Sequence, residues 1–299
     1  MINKVGFIGL GMMGHGIASN IMRQGYALMV MAHKNRKPID SLVKKGAFEA
    51  PSPAELAAKN DIVFLCVRGA EEVETLIYGP EGILAGCHGG LLVVDCTTSQ
   101  PGLSRKIAHD LQERNAHFAD APVTRAPKDA QAGRLNSLVG ADDETFEKIK
   151  PLLQTYSENI AHFGPPGAGH SAKLINNFIS CGYTALIIEG MAMCQRSGVD
   201  GDKLYEVMAA GGANSGVLQK MVPPLLRGDY SGHQFSIRNA QKDVSYFKRF
   251  AKEYGLDSFL AGPLESVYSA ALDAGLGDRF MASLIELHET LPKSQQRGS

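Results

Sequence analysis

Short apolar runs alternate with amphipathic segments along the first half of the chain. The runs are almost wholly apolar, which is typical of strands whose two faces are both covered by helices. They predict strands at Val5–Ile8, Leu28–Met31, Ile62–Val67, Leu91–Val94, Ala119–Pro122 and Asn136–Val139. Apolar residues at helical spacing predict helices between them at His15–Gln24, Pro53–Lys59 and Leu103–Arg114. This alternation predicts right-handed βαβ units and a doubly wound parallel sheet.

The pattern changes at the Gly/Pro-rich segment Phe163–Gly169, which breaks regular structure. Beyond it no convincing strand run appears, and Ala172–Ser197 predicts one helix, roughly 40 Å long at 1.5 Å per residue. Further helices are predicted near Gly201–Ala210, Gly216–Leu226, Ile237–Tyr254 and Pro263–Ala274. We therefore predict an α/β domain at residues 1–165, an all-α domain at 166–292 joined to it through the long helix, and a polar tail at 293–299.

The composition of the chain disfavours several classes of partner but does not point to a particular reaction. The 299 residues are 44% hydrophobic and 20% charged, an ordinary globular balance for a chain long enough to form two domains. With a net charge of -1 and no long basic run, a nucleic-acid partner has no electrostatic support. Five scattered cysteines lack metal-ligand spacing, so we predict no metal and reduced thiols. The apolar stretch Leu174–Cys194 carries Asn176, Asn177 and Glu189, a poor membrane span, and we expect a cytoplasmic protein without a membrane partner.

A glycine-rich turn directly follows the first predicted strand and opens the first predicted helix. Its G-x-G-x-x-G string is weak by itself, and a plain glycine-rich turn would look the same. In this position, however, it is typical of the dinucleotide-binding turn of a Rossmann domain, in which the helix N-terminus faces the pyrophosphate. The predicted cofactor-binding residues of this turn are Gly9, Gly11, Met12, Met13 and Gly14.

The end of the second strand, about 20 residues further on, is where such domains distinguish NAD from NADP. An acidic residue usually binds the ribose 2′-hydroxyl of NAD, whereas Ala32–Lys37 contains no acid and three cations. Lys34 and Arg36 suit a 2′-phosphate, and with His33 they form the predicted specificity loop. The interpretation is NADP as the preferred cofactor and NAD as the alternative, against a loop that is merely solvated.

The segment Gly167–Asn177 opens the long helix and carries the candidate chemistry. Lys173 and Asn177 stand four residues apart, so they share one helix face. An ammonium and an amide on one face can bind a hydroxyl or a carboxylate together. An isolated lysine on a helix is usually only solvated.

Several motifs occur together in a fixed order. Gly9–Gly14 is followed by Ala18–Asn20, Asp120–Val123, Gly167–Asn177 and Lys242-Asp243. Over nearly the whole chain this set resembles the β-hydroxyacid dehydrogenase family. The resemblance implies an NAD(P)-dependent oxidoreductase that interconverts a small β-hydroxy acid and its semialdehyde, an acidic aldehyde, by hydride transfer. It also implies a homodimer or homotetramer.

The resemblance assigns roles to individual positions. Lys173 matches the family's catalytic lysine, a general acid/base, and Asn177 matches the amide that helps to hold the substrate. His15 and His170 are interpreted as structural or surface histidines rather than site residues. The positions that the resemblance places near the cofactor are Val67, Arg68, Thr97, Thr98 and Lys242.

The segment Thr124-Arg125-Ala126 occupies the place of a Ser-Gly-Gly loop that binds the substrate carboxylate in the family. Thr124 keeps a hydroxyl, but both glycines are gone, and Arg125 brings a forked donor suited to carboxylate, sulfonate or phosphate. A change of this kind also occurs in the branch resembling sulfolactaldehyde reductase. The hypothesis is that Arg125 binds a second acidic group of the substrate, against an arginine turned outward on a loop.

Two alternative functions stay open at this point. One is a phosphogluconate-type oxidative decarboxylase, which would call for a phosphate site of several cations and a much longer helical domain. The other is a non-catalytic NADP-binding protein that recognises a partner; such relatives often lose the lysine or add a reader domain. The sequence shows neither the longer helical domain of the first alternative nor the lost lysine or added reader domain of the second. Both alternatives therefore rank below the dehydrogenase.

Overall fold

The computed structural model describes residues 2–31 and 35–289. The chain divides into two compact units, Met1–Lys173 and Leu174–Ser299. The predicted polar tail at 293–299 lies outside the described residues.

The first unit is built on a nine-stranded sheet. Its strands are β1 (Lys4–Ile8), β2 (Ala27–Met31), β3 (Phe48–Ala50), β4 (Ile62–Leu65), β5 (Leu92–Asp95), β6 (His117–Asp120), β7 (Val123–Thr124), β8 (Leu135–Gly140) and β9 (Ser157–Gly164). Their spatial order is β3-β2-β1-β4-β5-β6-β8-β7, with β9 also paired to β8. The first six positions in this order are parallel, which confirms the predicted doubly wound sheet.

One edge of this mainly parallel sheet is antiparallel. The predicted sixth strand, β8, runs antiparallel to both β6 and β7. Strands β6 and β7 run in the same direction, and only residues 125–134 connect β7 to β8, fewer than the dozen or more that a parallel crossover needs. Strands β3 and β9 escaped prediction because few of their side chains are buried, so neither has an apolar run.

Helices cover both faces of this sheet. They are α1 (Gly14–Arg23), α2 (Lys37–Val43), α3 (Pro53–Lys59), α4 (Ala70–Tyr78), α5 (Pro101–Gln112), α6 (Pro127–Ala132) and α7 (Asp143–Leu153), with a 3₁₀ turn at Ile83–Gly86. Successive strand residues enter opposite cores: Phe64 belongs to one buried cluster, and its neighbours Val63 and Leu65 belong to the other. This alternation is why the strands are apolar at every position.

The second unit is helical, as predicted. Its helices are the greater part of α8 (Ala168–Ser197), then α9 (Gly201–Ala210), α10 (Gly216–Leu225), α11 (Ile237–Glu253), α12 (Ala261–Asp273) and α13 (Glu286–Glu289), with a 3₁₀ turn at Met281–Ile285. Across residues 174–289, β pairing is limited to an isolated bridge between Ser236 and Phe280. Asp200, Ser215 and Ser236 each accept a backbone N–H at a helix start, which explains why α9, α10 and α11 begin where they do.

Helix α8 is long and apolar enough to cross a membrane by length and composition, with a mean hydropathy of 1.2 over its best window. Core helices of globular proteins meet the same requirement. In the second unit, Ile188, Met191 and Cys194 of this helix pack into a buried cluster with Leu218 and Val222.

Candidate active site

The glycine turn after β1 has a conformation that side chains would disrupt. Gly9 has a φ of +99°, and a Cβ there would collide with the backbone carbonyl of Cys66. A Cβ on Gly14 would collide with the carbonyl of Gly9. These two glycines are therefore required for the turn and for the close start of α1 against it.

Gly11 differs from the other two glycines of the motif, Gly9 and Gly14. A Cβ added there meets no protein atom within 4 Å, so its backbone faces open space. No side chain caps the start of α1 at Met13, so backbone N–H groups of the first turn can donate to an anion. Met12 beside it is 67% exposed. The turn also lies where strand order reverses, because β2 and β4 flank β1. These features fit the pyrophosphate of a dinucleotide.

Of the three residues assigned to the predicted specificity loop, Arg36 lies within the described part of the chain. Its guanidinium donates to both carboxylate oxygens of Glu49, at 3.0 Å each, and to Asp40 at 3.1 Å. Glu49, and then Asp40, raise the pKa of Arg36, and Arg36 in turn lowers the pKa of Glu49. Two carboxylates thus already neutralise this cation. His33 and Lys34 lie outside the described residues.

The ends of β4 and β5 bring two predicted segments together. The backbone N–H of Val67 donates to Thr97 Oγ1 at 3.1 Å, and the N–H of Thr97 donates to Asp95 Oδ1 at 2.9 Å. Thr98 follows directly on the same loop. Arg68 points elsewhere: it forms an ion pair with Glu72 in the first turn of α4, and its side chain is 81% exposed.

The segment 124–126 keeps a backbone conformation that glycine favours although it has no glycine. Arg125 has a φ of +84°. Its guanidinium donates to Glu158 and to the carbonyl of Arg134. Thr124 Oγ1 accepts a hydrogen bond from Asn136 Nδ2 at 2.8 Å. The side chain of Arg125 is therefore turned onto its own domain, with a carboxylate already bound to Nη1.

Lys173 lies in the second turn of α8 and is buried, with 8% of its surface exposed. The start of α8 is bonded to the carboxyl end of β6, because Asp120 accepts backbone N–H groups from Gly167 and His170 at 2.6 Å each. Gly169 packs so closely that a Cβ would collide with the carbonyl of Leu138. This explains the glycines that precede the lysine: the helix begins in backbone contact with the sheet.

In the second unit, a buried aspartate organises the predicted amide. Asp243 is 1% exposed, and its Oδ2 accepts from Asn177 Nδ2 at 2.6 Å. Asn177 Oδ1 accepts from Asn176 Nδ2 at 3.1 Å, which fixes the amide's orientation. Lys242 Nζ lies 2.8 Å from Asp243 Oδ1, as an ion pair without hydrogen-bond geometry, and 4.8 Å from the Tyr246 ring centre. In the sequence, the one signal for Asp243 is that it directly follows Lys242.

The reversed strand order, the bare glycine turn and the uncapped helix start define the first unit as a dinucleotide-binding domain of the Rossmann type. Residues 4–164 match the family model of the NAD-binding domain of 6-phosphogluconate dehydrogenase. Residues 167–288 match the model of the NAD-binding domain of NADP-dependent 3-hydroxyisobutyrate dehydrogenase.

Full-length relatives agree with these matches. The chain is 30% identical over 292 residues to 2-(hydroxymethyl)glutarate dehydrogenase of Eubacterium barkeri, covering 96% of this chain and 95% of that one. It is 31% identical over 283 residues to 3-sulfolactaldehyde reductase of Escherichia coli K12, covering 94% of each. The fold matches that of Mycobacterium tuberculosis 3-hydroxyisobutyrate dehydrogenase with a TM-score of 0.86, over 96% of this chain and 99% of that one, at 22% identity.

The chain belongs to the β-hydroxyacid dehydrogenase family, and it is an NAD(P)-dependent hydroxyacid dehydrogenase. This confirms the resemblance in the sequence motifs. The two alternatives are not favoured. The helical half matches a hydroxyisobutyrate dehydrogenase model rather than a decarboxylase model, and the named relatives are dehydrogenases and reductases rather than binding proteins.

Proposed function

We propose that the protein interconverts a small acidic β-hydroxy acid and its semialdehyde, with Lys173 as the proton-transfer residue. The observation that carries the proposal is the placement of this lysine. It is buried on a helix whose first turn is bonded to the carboxyl edge of the sheet through Asp120. The glycine turn after β1 lies at the same edge, because β1 and β6 are parallel members of one sheet.

The nicotinamide dinucleotide supplies or accepts the hydride when bound. The turn at Gly9–Gly14 and the start of α1 would hold its pyrophosphate. In reduction, Lys173 as an ammonium stabilises the charge that develops on the carbonyl oxygen and delivers a proton to it. In oxidation, the neutral amine accepts the hydroxyl proton.

Asn177 is proposed to hold the substrate. Its amide has two N–H donors, and one of them is used by Asp243. With the amide turned this way, the second N–H points at a fixed angle and can donate to a substrate hydroxyl or carboxylate. Lys173 and Asn177 share one face of α8. A proton-transfer group and a substrate-binding group are thus placed one helical turn apart.

The test of the proposal is Lys173→Ala, with Lys203→Ala as its control. Lys203 is a lysine whose side chain is 82% exposed on α9. Lys173→Ala is expected to lower kcat by about 10²–10⁴-fold, the usual contribution of general acid/base catalysis, and to leave cofactor affinity unchanged. Lys203→Ala should resemble the wild type. Near-normal turnover in Lys173→Ala would overturn the assignment.

The finer specificity that we propose concerns a second acidic group. Arg125 already binds a carboxylate within the protein, that of Glu158, so its guanidinium is held in a position to bind an acid. A substrate with a second acidic group would share this guanidinium or displace Glu158 from it. The relative from Eubacterium barkeri is named for 2-(hydroxymethyl)glutarate, which is a dicarboxylate.

NADP is proposed as the preferred cofactor because no acid follows β2 and Arg36 lies there. Glu49 and Asp40 bind that guanidinium. A 2′-phosphate would therefore have to share Arg36 with them, which keeps the expected preference over NAD modest.

A homodimer or homotetramer is proposed from one face of α8. Five of its side chains, spaced at helical intervals, are at least 46% exposed: Ile175, Ile179, Tyr183, Leu186 and Met193. A contiguous apolar stripe of this kind marks a protein contact. The other apolar residues around Met191–Cys194 and Leu218–Leu225 are mostly buried in the second unit's own core. Leu186→Glu should lower the mass measured by light scattering. An unchanged mass would contradict an interface at this stripe.

A further inference from the structure

We propose that His170 and Asp120 are positioning residues for the proton transfer, acting together as a clamp on the first turn of α8. The inference rests on the proposed role of Lys173. The clamp consists of these two residues with their partners Thr97, Ser104 and Asp95. All five are at most 1% exposed.

Asp120 is the part of the clamp that binds the backbone of α8. Its two carboxylate oxygens accept one N–H each, from Gly167 and from His170, both at 2.6 Å. These are charge-assisted bonds, about twice as strong as bonds between neutral groups. They use the orphan donors at the start of α8 to attach the helix to the end of β6.

The side-chain half is the His170 ring. Its Nε2 lies 2.7 Å from the carbonyl oxygen of Thr97, and because a carbonyl only accepts, Nε2 must carry a hydrogen. Its Nδ1 lies 2.7 Å from Ser104 Oγ on α5. The ring therefore joins α8 to the end of β5 and to α5, at positions 73 and 66 residues away in the chain.

Two buried carboxyls face this ring. Asp95 Oδ2 lies 3.9 Å from Nε2, and Asp120 Oδ2 lies 3.8 Å from Nδ1. Burial raises the pKa of both carboxyls, and His170 acts against that rise. Removing the ring would take from both buried carboxyls the partner that they share, so the clamp depends on all three.

The geometry connects the clamp to catalysis. Lys173 follows His170 by three residues, so its backbone position is set by the turn that the clamp holds. Thr97, whose carbonyl receives the ring N–H, precedes Thr98 on the loop that is predicted to lie near the nicotinamide ribose. The ring thus ties the lysine helix to the cofactor loop. A misplacement of about 1 Å at a reacting group costs on the order of 100-fold in rate.

The experiment compares His170→Leu with His170→Gln, beside Lys173→Ala and the wild type. Leucine fills the space but donates nothing, whereas the glutamine amide can still donate to the Thr97 carbonyl. We expect His170→Leu to lower kcat at least about tenfold, the worth of one strong hydrogen bond, with cofactor KM within about twofold. His170→Gln should recover kcat to within about threefold of the wild type. A purely structural role would instead lower the folded fraction and leave kcat per folded molecule unchanged.

Amide hydrogen exchange gives a readout that does not depend on turnover. Asp120→Asn keeps the shape of the side chain but loses its charge, so exchange at Gly167 and His170 should rise about tenfold or more. Retention of wild-type kcat in both His170→Leu and Asp120→Asn, while Lys173→Ala is inactive, would overturn the clamp and leave the proposed function intact. Retained turnover in Lys173→Ala would overturn the proposed function itself.

Discussion

Replacing Arg125 separates its contribution to stability from its contribution to substrate binding. The ion pair with Glu158 leaves 32% of the Arg125 and 54% of the Glu158 side chain exposed, so it contributes about 0–1 kcal/mol. The bond to the Arg134 carbonyl contributes about 1 kcal/mol. Arg125→Ala loses both contacts and keeps the strained φ. It should lower the free energy of unfolding by about 1–2 kcal/mol.

Arg125→Gly loses the same contacts but relieves the backbone. A non-glycine residue at positive φ costs roughly 1–2 kcal/mol, and the extra freedom of glycine in the unfolded chain offsets about 0.5–1 kcal/mol of that relief. The glycine variant should therefore be more stable than the alanine variant by up to about 1.5 kcal/mol. Urea unfolding of both variants, followed by circular dichroism, measures this difference. A glycine variant less stable than the alanine variant would show that the strain estimate at φ +84° is wrong.

The same variants test substrate binding. If Arg125 binds a second acidic group, both substitutions should raise KM about 10–100-fold for a dianionic semialdehyde, because a hydrogen bond to a charged group is worth about 1.5–3 kcal/mol. KM for a monoanionic semialdehyde should change little. Glu158→Gln is the matched control, since it keeps the arginine, removes its competing carboxylate and should lower KM for the dianion. Turnover is measured by the absorbance of the reduced nicotinamide. An equal change in KM for the two substrates in Arg125→Gly would refute the binding role.

Three further perturbations have expected outcomes. Asp243→Asn should lower kcat/KM about 10–100-fold, because the Asn177 amide loses a charge-assisted acceptor; steady-state kinetics that stay at wild-type values would show that this bond is not needed. Glu49→Gln should tighten NADPH binding and leave NADH unchanged, since it releases Arg36 from a carboxylate; fluorescence titration that finds equal shifts for both cofactors would contradict the NADP assignment. Burial, with a smaller effect of Lys220, lowers the pKa of His233 to about 4 from 6.5. The unfolded chain therefore takes up a proton between pH 6.5 and 4 that the folded chain does not, and stability should fall as pH drops through this window, by at most about 3 kcal/mol. Urea midpoints at pH 7 and 4.5 should differ less in His233→Asn than in the wild type, and equal differences would exclude His233 as the cause.

The local chemistry of the site was predictable because local spacing determines it. The turn at Gly9–Gly14 follows an apolar strand. The positive φ of Gly9 and the close approach of Gly14 to the Gly9 carbonyl are set within six residues, whereas the approach of Gly9 to the Cys66 carbonyl comes from a distant segment. The shared face of Lys173 and Asn177 follows from the helical period alone. The strand and helix runs are likewise periodic, and most predicted elements begin or end within a few residues of the observed ones.

The partners of these residues were not predictable, because they come from distant parts of the chain. Arg125 meets Glu158 across 33 residues, Asn177 meets Asp243 across 66, and the His170 ring meets Thr97 across 73. The sequence indicates only a structural or surface histidine at His170, and the fold shows that it is fully buried between two carboxyls. The direction of β8 was also decided by the connection, since residues 125–134 between β7 and β8 are too few for a parallel crossover.

The sequence by itself determined the two-part fold, the dinucleotide turn and the candidate lysine, because each depends on periodicity or on a few consecutive backbone angles. Only the tertiary structure decided which distant charges are paired: Arg36 with Glu49 and Arg125 with Glu158. The physical reason is the distance along the chain over which each feature is determined. A local pattern specifies which face a side chain is on, whereas ion pairs and buried hydrogen bonds depend on which other segment packs against that face.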